Sequence, residues 1–347
     1  MQSISRFDHL TCRIDATVKD ALIRIGEATP NLFQIVVSND GRVVGTITDG
    51  DIRRAMLDGL TMGDTVDKCM CKTPIVGKAY DDRSNRPLLL RAWFLPVVDA
   101  AGRLDHVLVQ PRREPPLQRA LLMAGGYGRR LGELTRDVPK PLLPVGGRPI
   151  LDRVLEKIES AGIAHVTIAL HYRAAQIKEF VKSRRNAVDI SFIEEAEPRG
   201  TAGALAQLAG QLDEPLLVVN GDVLTQVDFG AMREFNMRHG YDGTIAISRY
   251  EVQVPYGVVR QSDDGSFAGV DEKPRMSFFV AAGMYFVSPE LVALTPRDRA
   301  VDMPELLTLG RDAGLRIGLF PVHEYWKDVG QPSDLSLAQE DHQRSGR

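Results

Sequence analysis

Apolar positions along the chain change period from one stretch to the next, and the changes predict the elements. Behind Thr17, a plausible helix N-cap, Val-Lys-Asp-Ala-Leu-Ile-Arg-Ile places apolar residues at helical spacing. Gln34-Ile-Val-Val predicts a strand, Asn39-Asp-Gly a turn and Val43-Val-Gly-Thr-Ile-Thr a second strand. Asp49-Gly-Asp-Ile-Arg-Arg-Ala-Met-Leu then opens another helix. The same order returns more faintly. Leu95-Pro-Val-Val matches the first strand, Ala100-Ala-Gly-Arg the turn and Leu104-Asp-His-Val-Leu-Val the second strand. This is an internal repeat with a decayed second copy.

Pro111-Arg-Arg-Glu-Pro-Pro-Leu breaks the rhythm, and its prolines and charges read as a stiff linker and domain boundary. Beyond it, Leu121-Leu-Met reads as a buried strand, residues 149–162 as an amphipathic helix and residues 166–170 as the next strand. Residues 174–183 read as a helix, 189–193 as a strand, 201–212 as a helix, and Pro215-Leu-Leu-Val-Val as a strand running into Asn220-Gly-Asp222. Alternating strands and helices predict an α/β fold, a mostly parallel sheet covered on both faces, with ligands beyond the carboxyl ends of the strands. The pattern loosens after Gly243, and residues 340–347 read as a frayed tail.

Composition narrows the function classes. The 347 residues, 44% hydrophobic and 26% charged, suit two soluble globular domains. A net charge of −3 carries no basic footprint for nucleic acid. No apolar run approaches the roughly 20 residues of a membrane helix, and the start lacks the apolar core of a signal peptide. Cys12, Cys69 and Cys71 form no Cys-x-x-Cys pair, and read as thiols of a reducing cytoplasm.

The candidate chemistry centres on Leu121-Leu-Met-Ala-Gly-Gly-Tyr-Gly-Arg-Arg-Leu and the Asp137-Val-Pro-Lys-Pro-Leu-Leu-Pro-Val that follows. Gly125, Gly126 and Gly128 let a ligand approach main-chain N–H groups. Arg129, Arg130 and Lys140 bring cations to the same mouth, which points to a phosphate site. The run is not a Walker loop. Leu131 stands where a dinucleotide fingerprint needs a small third residue, which disfavours a nicotinamide-dependent dehydrogenase.

With these motifs the stretch from about residue 117 to 336 resembles the sugar-1-phosphate nucleotidyltransferases, a family that includes mannose-1-phosphate guanylyltransferases and glucose-1-phosphate thymidylyltransferases. Further matches follow in family order: Glu197-Pro-Arg-Gly-Thr-Ala-Gly, Asn220-Gly-Asp, Tyr256-Gly-Val-Val, Glu272-Lys-Pro, Ala282-Gly-Met-Tyr and Trp326-Lys-Asp-Val-Gly. The resemblance implies a Rossmann-like, GT-A-like catalytic domain over residues 117–340. It implies Arg130 on the triphosphate, Lys140 beside the α-phosphate, and Asp222 with Asp328 holding Mg²⁺. It also implies Ala124, Gly125, Gly126, Gly128, Arg129, Glu197, Gly200 and Thr201 around the nucleotide, and Gly257, Glu272, Lys273, Gly283 and Trp326 on the sugar-phosphate side. Gly200-Thr-Ala-Gly-Ala-Leu looks more like the guanylyltransferases, which favours GTP. Relatives often carry Asn two places before the glycine where this chain has Ala281-Ala282-Gly283, which leaves the sugar open between a hexose and an amino sugar such as mannose or glucosamine 1-phosphate. The implied setting is precursor synthesis for bacterial surface glycans. The alternative is a nucleotide-sensing protein of the same fold without catalysis.

Residues 1–113 resemble a pair of CBS domains of α+β type, on the signature Gly45-Thr-Ile-Thr-Asp-Gly-Asp-Ile-Arg. In that family the Thr and Asp of Thr-x-x-Asp, here Thr48 and Asp51, hold a ribose and phosphate, so an adenine or guanine nucleotide is an implied partner. The second copy has no Thr-x-x-Asp after Val109. Two readings stand: a regulatory nucleotide site, or an oligomerisation module in which Thr48 and Asp51 only cap a helix. A homo-oligomer is expected, with no nucleic-acid or membrane partner.

Overall fold

The computed structural model of the chain describes residues 2–28, 31–89, 92–110 and 118–345. The chain divides into two compact units, Met1–Pro115 and Pro116–Arg347. The stretch read as a linker, residues 111–117, lies outside the described residues.

The first unit repeats one motif. Strand β1 (Gln2–Ile4) is followed by β2 (Thr11–Arg13), α1 (Val18–Glu27), β3 (Phe33–Val37), β4 (Val43–Thr48) and α2 (Asp49–Leu57). The second copy is β5 (Gly77–Lys78), α3 (Asp82–Leu89), β6 (Phe94–Val98) and β7 (Leu104–Val109). In each copy a parallel pair precedes an antiparallel one. Phe33 pairs with Thr48 as Phe94 pairs with Val109, and both ladders shift register at the equivalent place, between Val36 and Val37 and between Val97 and Val98. The Phe33 and Phe94 rings stack with centroids 3.8 Å apart, so the two copies share an aromatic contact. Helices α1 and α2 both begin in capping boxes, Thr17 with Asp20 and Thr48 with Asp51.

The second unit is a three-layer sandwich. It contains β8 (Arg119–Met123), the short hairpin β9 (Pro144–Val145) and β10 (Arg148–Pro149), α4 (Ile150–Ser160), β11 (His165–Leu170), α5 (Ala174–Ser183), β12 (Asp189–Glu194), α6 (Leu205–Leu208), β13 (Leu216–Asn220), β14 (Val223–Thr225) and α7 (Phe229–His239). These are followed by β15 (Gly243–Gln253), β16 (Val258–Gln261), β17 (Phe267–Asp271), β18 (Arg275–Val287), α8 (Pro289–Ala293), α9 (Met303–Asp312), β19 (Ile317–Val322), β20 (Trp326–Asp328) and α10 (Pro332–Ser345). Seven strands form the main sheet in the order β12-β11-β8-β13-β18-β15-β19. All its pairings are parallel except the two made by β18.

Strand alternation explains the layers. Ala120 and Leu122 of β8 join one buried cluster with α4, α5 and α7, while Leu121 joins the other with α6, α8 and α9. The run Leu121-Leu-Met therefore carries no polar position because both faces are covered.

Two sequence expectations need correction. Residues 201–212 do not form one helix; only Leu205–Leu208 is helical. Thr201 turns away, its hydroxyl accepting from Met303 N–H at the start of α9 and donating to Asp302. Nor is the C-terminal stretch frayed from residue 340. Helix α10 runs to Ser345 because Leu335 and Ala338 are buried in the core and Asp341 accepts from Tyr325 and Lys327.

Candidate active site

The carboxyl ends of β8, β11, β12 and β13 meet at one edge of the sheet. Ala124 N–H bonds to Ala169 O, Gly221 N–H to Met123 O and Glu195 N–H to Leu170 O, so the loops leaving four strands are tied together. They enclose a cleft of about 220 Å³ whose lining includes Ala124, Gly125, Gly126, Lys140, Gly200, Thr201 and Asp222. Seven residues chosen from sequence thus share one cavity.

Gly128 shows why the loop needs glycine. It is left-handed, with φ of 66°, and a Cβ there would come within 2.8 Å of Thr135. The Thr135 hydroxyl instead donates to Gly128 O at 2.9 Å. The far side of the loop is fastened from the β11–α5 turn. Tyr172 OH donates to Thr135 O and Arg136 O, Arg173 Nη2 to Arg136 O, and Gln176 Nε2 to Asp137 O. Arg173 is itself left-handed, with φ of 51°, a strained conformation for a residue with a side chain.

Lys140, Asp222 and Asp328 form the charged centre. Lys140 lies in a short 3-10 turn between prolines and is buried. Its Nζ pairs with Asp222 Oδ2 and stands 3.6 Å from Asp328 Oδ1. Asp222 follows β13, whereas Asp328 ends β20. The antiparallel β14–β20 pair, with Val223 opposite Asp328, brings them side by side, and Val329 N–H bonds to Asp222 O. Burial pushes the Asp328 carboxyl above its ordinary value, the neighbouring Asp222 adds to the rise, and Lys140 and Arg130 oppose it.

The donor set suits a small divalent cation. Asp222 Oδ1 is buried and has no hydrogen-bond partner, and a second carboxylate lies beside it. Among the described residues there is no cluster of three His, Cys, Asp or Glu that could hold a metal by itself. Two carboxylates are enough for an ion of the Mg²⁺ type, which keeps waters and takes the remaining oxygens from phosphates.

The other sequence choices fall in three places. Arg130 reaches toward Asp328 and Gly330, where a Cβ on Gly330 would meet its Nη1 at 3.9 Å. Arg129 is exposed and lies over the Tyr127 ring, 4.9 Å from its centroid. Gly283 adjoins the cleft: it is left-handed, with φ of 70°, and a Cβ would meet Asn220 Nδ2 at 2.8 Å. Trp326 donates its indole N–H to Ala282 O at 2.8 Å. Gly257, just before β16, and Glu272 and Lys273, just after β17, are exposed, with Glu272 close to Gly257, and do not line the cleft. Glu197 is also exposed and outside its lining.

Sequence reading missed three groups at this edge. Glu195 lines the cleft two places before Glu197; burial raises its carboxyl above the ordinary value, and its Oε1 is buried without a partner. His171 Nδ1 lies 2.9 Å from Glu195 O, which only accepts, so Nδ1 carries the proton. Its Nε2 then accepts from Tyr127 OH at 2.9 Å. Asn220 Oδ1 is the third, a buried unpartnered acceptor. A signal was present: each of these follows or ends a strand predicted to point into the ligand edge.

Comparison with known proteins matches each part of the chain to a family. The Nucleotidyl transferase family model matches residues 119–345, and the CBS domain model matches residues 3–58. The catalytic subunit beta of mannose-1-phosphate guanylyltransferase from Drosophila pseudoobscura pseudoobscura is 34% identical over 225 residues, covering 62% of this chain and 60% of the relative. Its counterpart from Danio rerio is 35% identical, covering 62% of each. The chain thus spans about 60% of the length of the curated relatives it matches. The crystal structure of HddC from Yersinia pseudotuberculosis complexed with GMP-PN superposes with a TM-score of 0.52 at 26% identity, covering 65% of this chain and all of that one.

Proposed function

Because the chain belongs to the nucleotidyl transferase family, we propose that it joins a nucleoside triphosphate to a sugar 1-phosphate, giving a nucleoside diphosphate sugar and pyrophosphate. The observation that carries this reading is the convergence of Lys140, Asp222 and Asp328 at the mouth of a glycine-lined cleft.

The nucleophile is a sugar-phosphate oxygen and is already anionic, so no general base is needed. Its oxygen bonds to the α-phosphorus as the bond to the pyrophosphate oxygen breaks, in line. Asp222 and Asp328 would hold a divalent cation, Mg²⁺ in this reading, which when bound neutralises phosphate charge. Lys140 stands where it can pass from Asp222 to an α-phosphate oxygen as negative charge gathers there. Losing such a donor costs on the order of 3 kcal/mol, about a hundredfold in rate. Arg130, beside Asp328, presents a planar fork to the departing phosphates. The loop N–H groups of residues 125–128 supply a neutral cradle.

GTP is the favoured triphosphate, and Glu195 is the reason this chain adds to its likeness to guanylyltransferases. An ionised carboxylate only accepts hydrogen bonds. Guanine alone among the bases offers two adjacent donors, N1–H and N2–H, on its pairing edge. The Glu195 carboxylate accepts from the Arg199 backbone, but its buried Oε1 has no donor and can accept from that edge. The sugar is a hexose or amino-hexose 1-phosphate, with Gly257, Glu272, Lys273, Gly283 and Trp326 on its side. In the first unit the reading is a nucleotide-responsive module, with Thr48 and Asp51 at the start of α2 toward ribose and phosphate.

The test is pyrophosphate release from full-length protein with Mg²⁺, each nucleoside triphosphate, and mannose or glucosamine 1-phosphate among a panel of sugars. GTP is expected to be the best triphosphate. Asp222→Asn should nearly abolish release, and Glu195→Gln should narrow the preference for GTP by tenfold or more, about 1.4 kcal/mol. No release with any pair sinks the catalytic reading; release with an unchanged preference in Glu195→Gln removes only the role of Glu195.

A further inference from the structure

Tyr127 is the one residue of Gly125-Gly-Tyr-Gly that has a side chain, and it lines the cleft. Three neighbours hold it. Its hydroxyl donates to His171 Nε2 at 2.9 Å, with the two rings edge to face and their centroids 5.4 Å apart. The Tyr172 ring lies 5.4 Å away, and the Arg129 guanidinium stands over the Tyr127 ring at 4.9 Å.

His171 follows β11 and serves two loops at once. Its Nδ1–H donates to Glu195 O at 2.9 Å, while Glu195 N–H donates to Leu170 O at 2.9 Å. Both main-chain groups of Glu195 are thus fixed to the end of one strand. The glycine loop also rests on His171 directly. A Cβ on Gly125 would stand 3.3 Å from both the Cβ and the N of His171, tight enough to push the two apart. A continuous path of contacts therefore runs from the glycine loop through Tyr127 and His171 to Glu195.

We propose that Tyr127 and His171 are positioning residues that join the phosphate-binding loop to Glu195, so that seating the base also sets the loop for the triphosphate. The inference rests on the reading of the cleft as a nucleotide site with Glu195 at the base. Gly125, Gly126 and Gly128 bring no side chains to hold the loop, and glycine loses more backbone freedom on ordering than any other residue. A ligand that had to order the loop would bind more weakly by that cost, and a prearranged loop spares it. A neutral imidazole suits the junction because one nitrogen donates and the other accepts, which bridges a carbonyl to a hydroxyl.

The test pairs amide hydrogen exchange of the unliganded full-length chain with calorimetric binding of GTP and of inosine triphosphate, which lacks the 2-amino group of guanine. Tyr127→Phe removes one hydroxyl and keeps the ring. It should quicken exchange over residues 124–129 and lower the preference for GTP about fivefold, the worth of one such hydrogen bond. His171→Asn keeps a donor for Glu195 O but does not reach Tyr127, so it should match Tyr127→Phe. The double variant should be no worse than either, since both break the same bond. His171→Ala should exceed them, because Glu195 is released as well. Unchanged exchange in Tyr127→Phe overturns the proposal, as do additive effects in the double variant or quickened exchange with the GTP preference intact. A wild type that does not prefer GTP, with exchange still quickened in Tyr127→Phe, upholds the link and overturns the guanine reading alone.

Discussion

Asp328 carries a conflict between stability and chemistry. Burial and the nearby Asp222 hold its carboxyl above the ordinary value in the folded chain. Ionising it therefore opposes folding. At pH below the ordinary carboxylate range both folded and unfolded chains are protonated and there is no penalty; the penalty grows as pH rises through the raised value. Asp328→Asn should accordingly melt at a higher temperature than wild type at pH 7, with the gain fading near pH 4 and below. The same substitution should lower pyrophosphate release. Thermal melts of both proteins across pH check the first outcome, and an unchanged or lowered midpoint at pH 7 refutes it. Most residues that meet at the cleft were visible in sequence as types: glycines, a lysine between prolines and Asp222 after an apolar run, whereas Asp328, behind Tyr325-Trp-Lys, was singled out only by the resemblance. Their partners were not. Glu195 looks in sequence like any of three neighbouring acids, and its buried, unpartnered Oε1 exists only once β12 is placed beside β11.

The glycine-rich loop depends on an element that sequence reading treated as an ordinary helix start. Tyr172 and Arg173 in the turn before α5, with Gln176 in that helix's first turn, hold the carbonyls of Thr135, Arg136 and Asp137. Arg173 takes a left-handed backbone to do so. Arg173→Gly relieves that strain while removing the side-chain grip, so its effect isolates the grip. Amide hydrogen exchange over residues 129–139 should quicken, with a rise in KM for the triphosphate and little change for the sugar phosphate. Unchanged exchange would show that the loop holds its shape without this turn. Helix boundaries followed the sequence where apolar spacing was long and regular, as in α1, α2 and α5. They departed from it at residues 201–212, where Thr201 serves α9 across a hundred positions instead of capping its own segment.

Each unit has its own buried clusters: three are built from residues before 110 and two from residues after 119. Two calorimetric unfolding transitions should result. Thr48→Ala removes the hydroxyl that accepts from Asp51 N–H at the start of α2, a cap worth about 1 kcal/mol, which in a domain of this size is a fall of roughly 4–8 °C. Only one transition should move. A single cooperative transition, or a shift in both, would show that the units unfold as one body. The doubled motif of the first unit was legible because strand and turn signals are local, and both copies kept them while the second lost its Thr-x-x-Asp.

Local physics explains how much could be read from the chain alone. Alternation, caps and glycine turns act over a few residues, so the repeat, the α/β order and the glycine-rich loop are written in consecutive positions. The site is not local. Asp222 and Asp328 stand 106 positions apart, and no periodicity joins them; a ladder of three residue pairs between β14 and β20 does. The free ends of β15 and β18, residues 249–253 and 275–279, are the converse case. Their alternating residues look ordinary in sequence, and only the end of the β15–β19 pairing at Ser248 leaves their apolar side uncovered. Backbone pairing between distant segments, which costs loop entropy and is set by global packing, decided what those residues face.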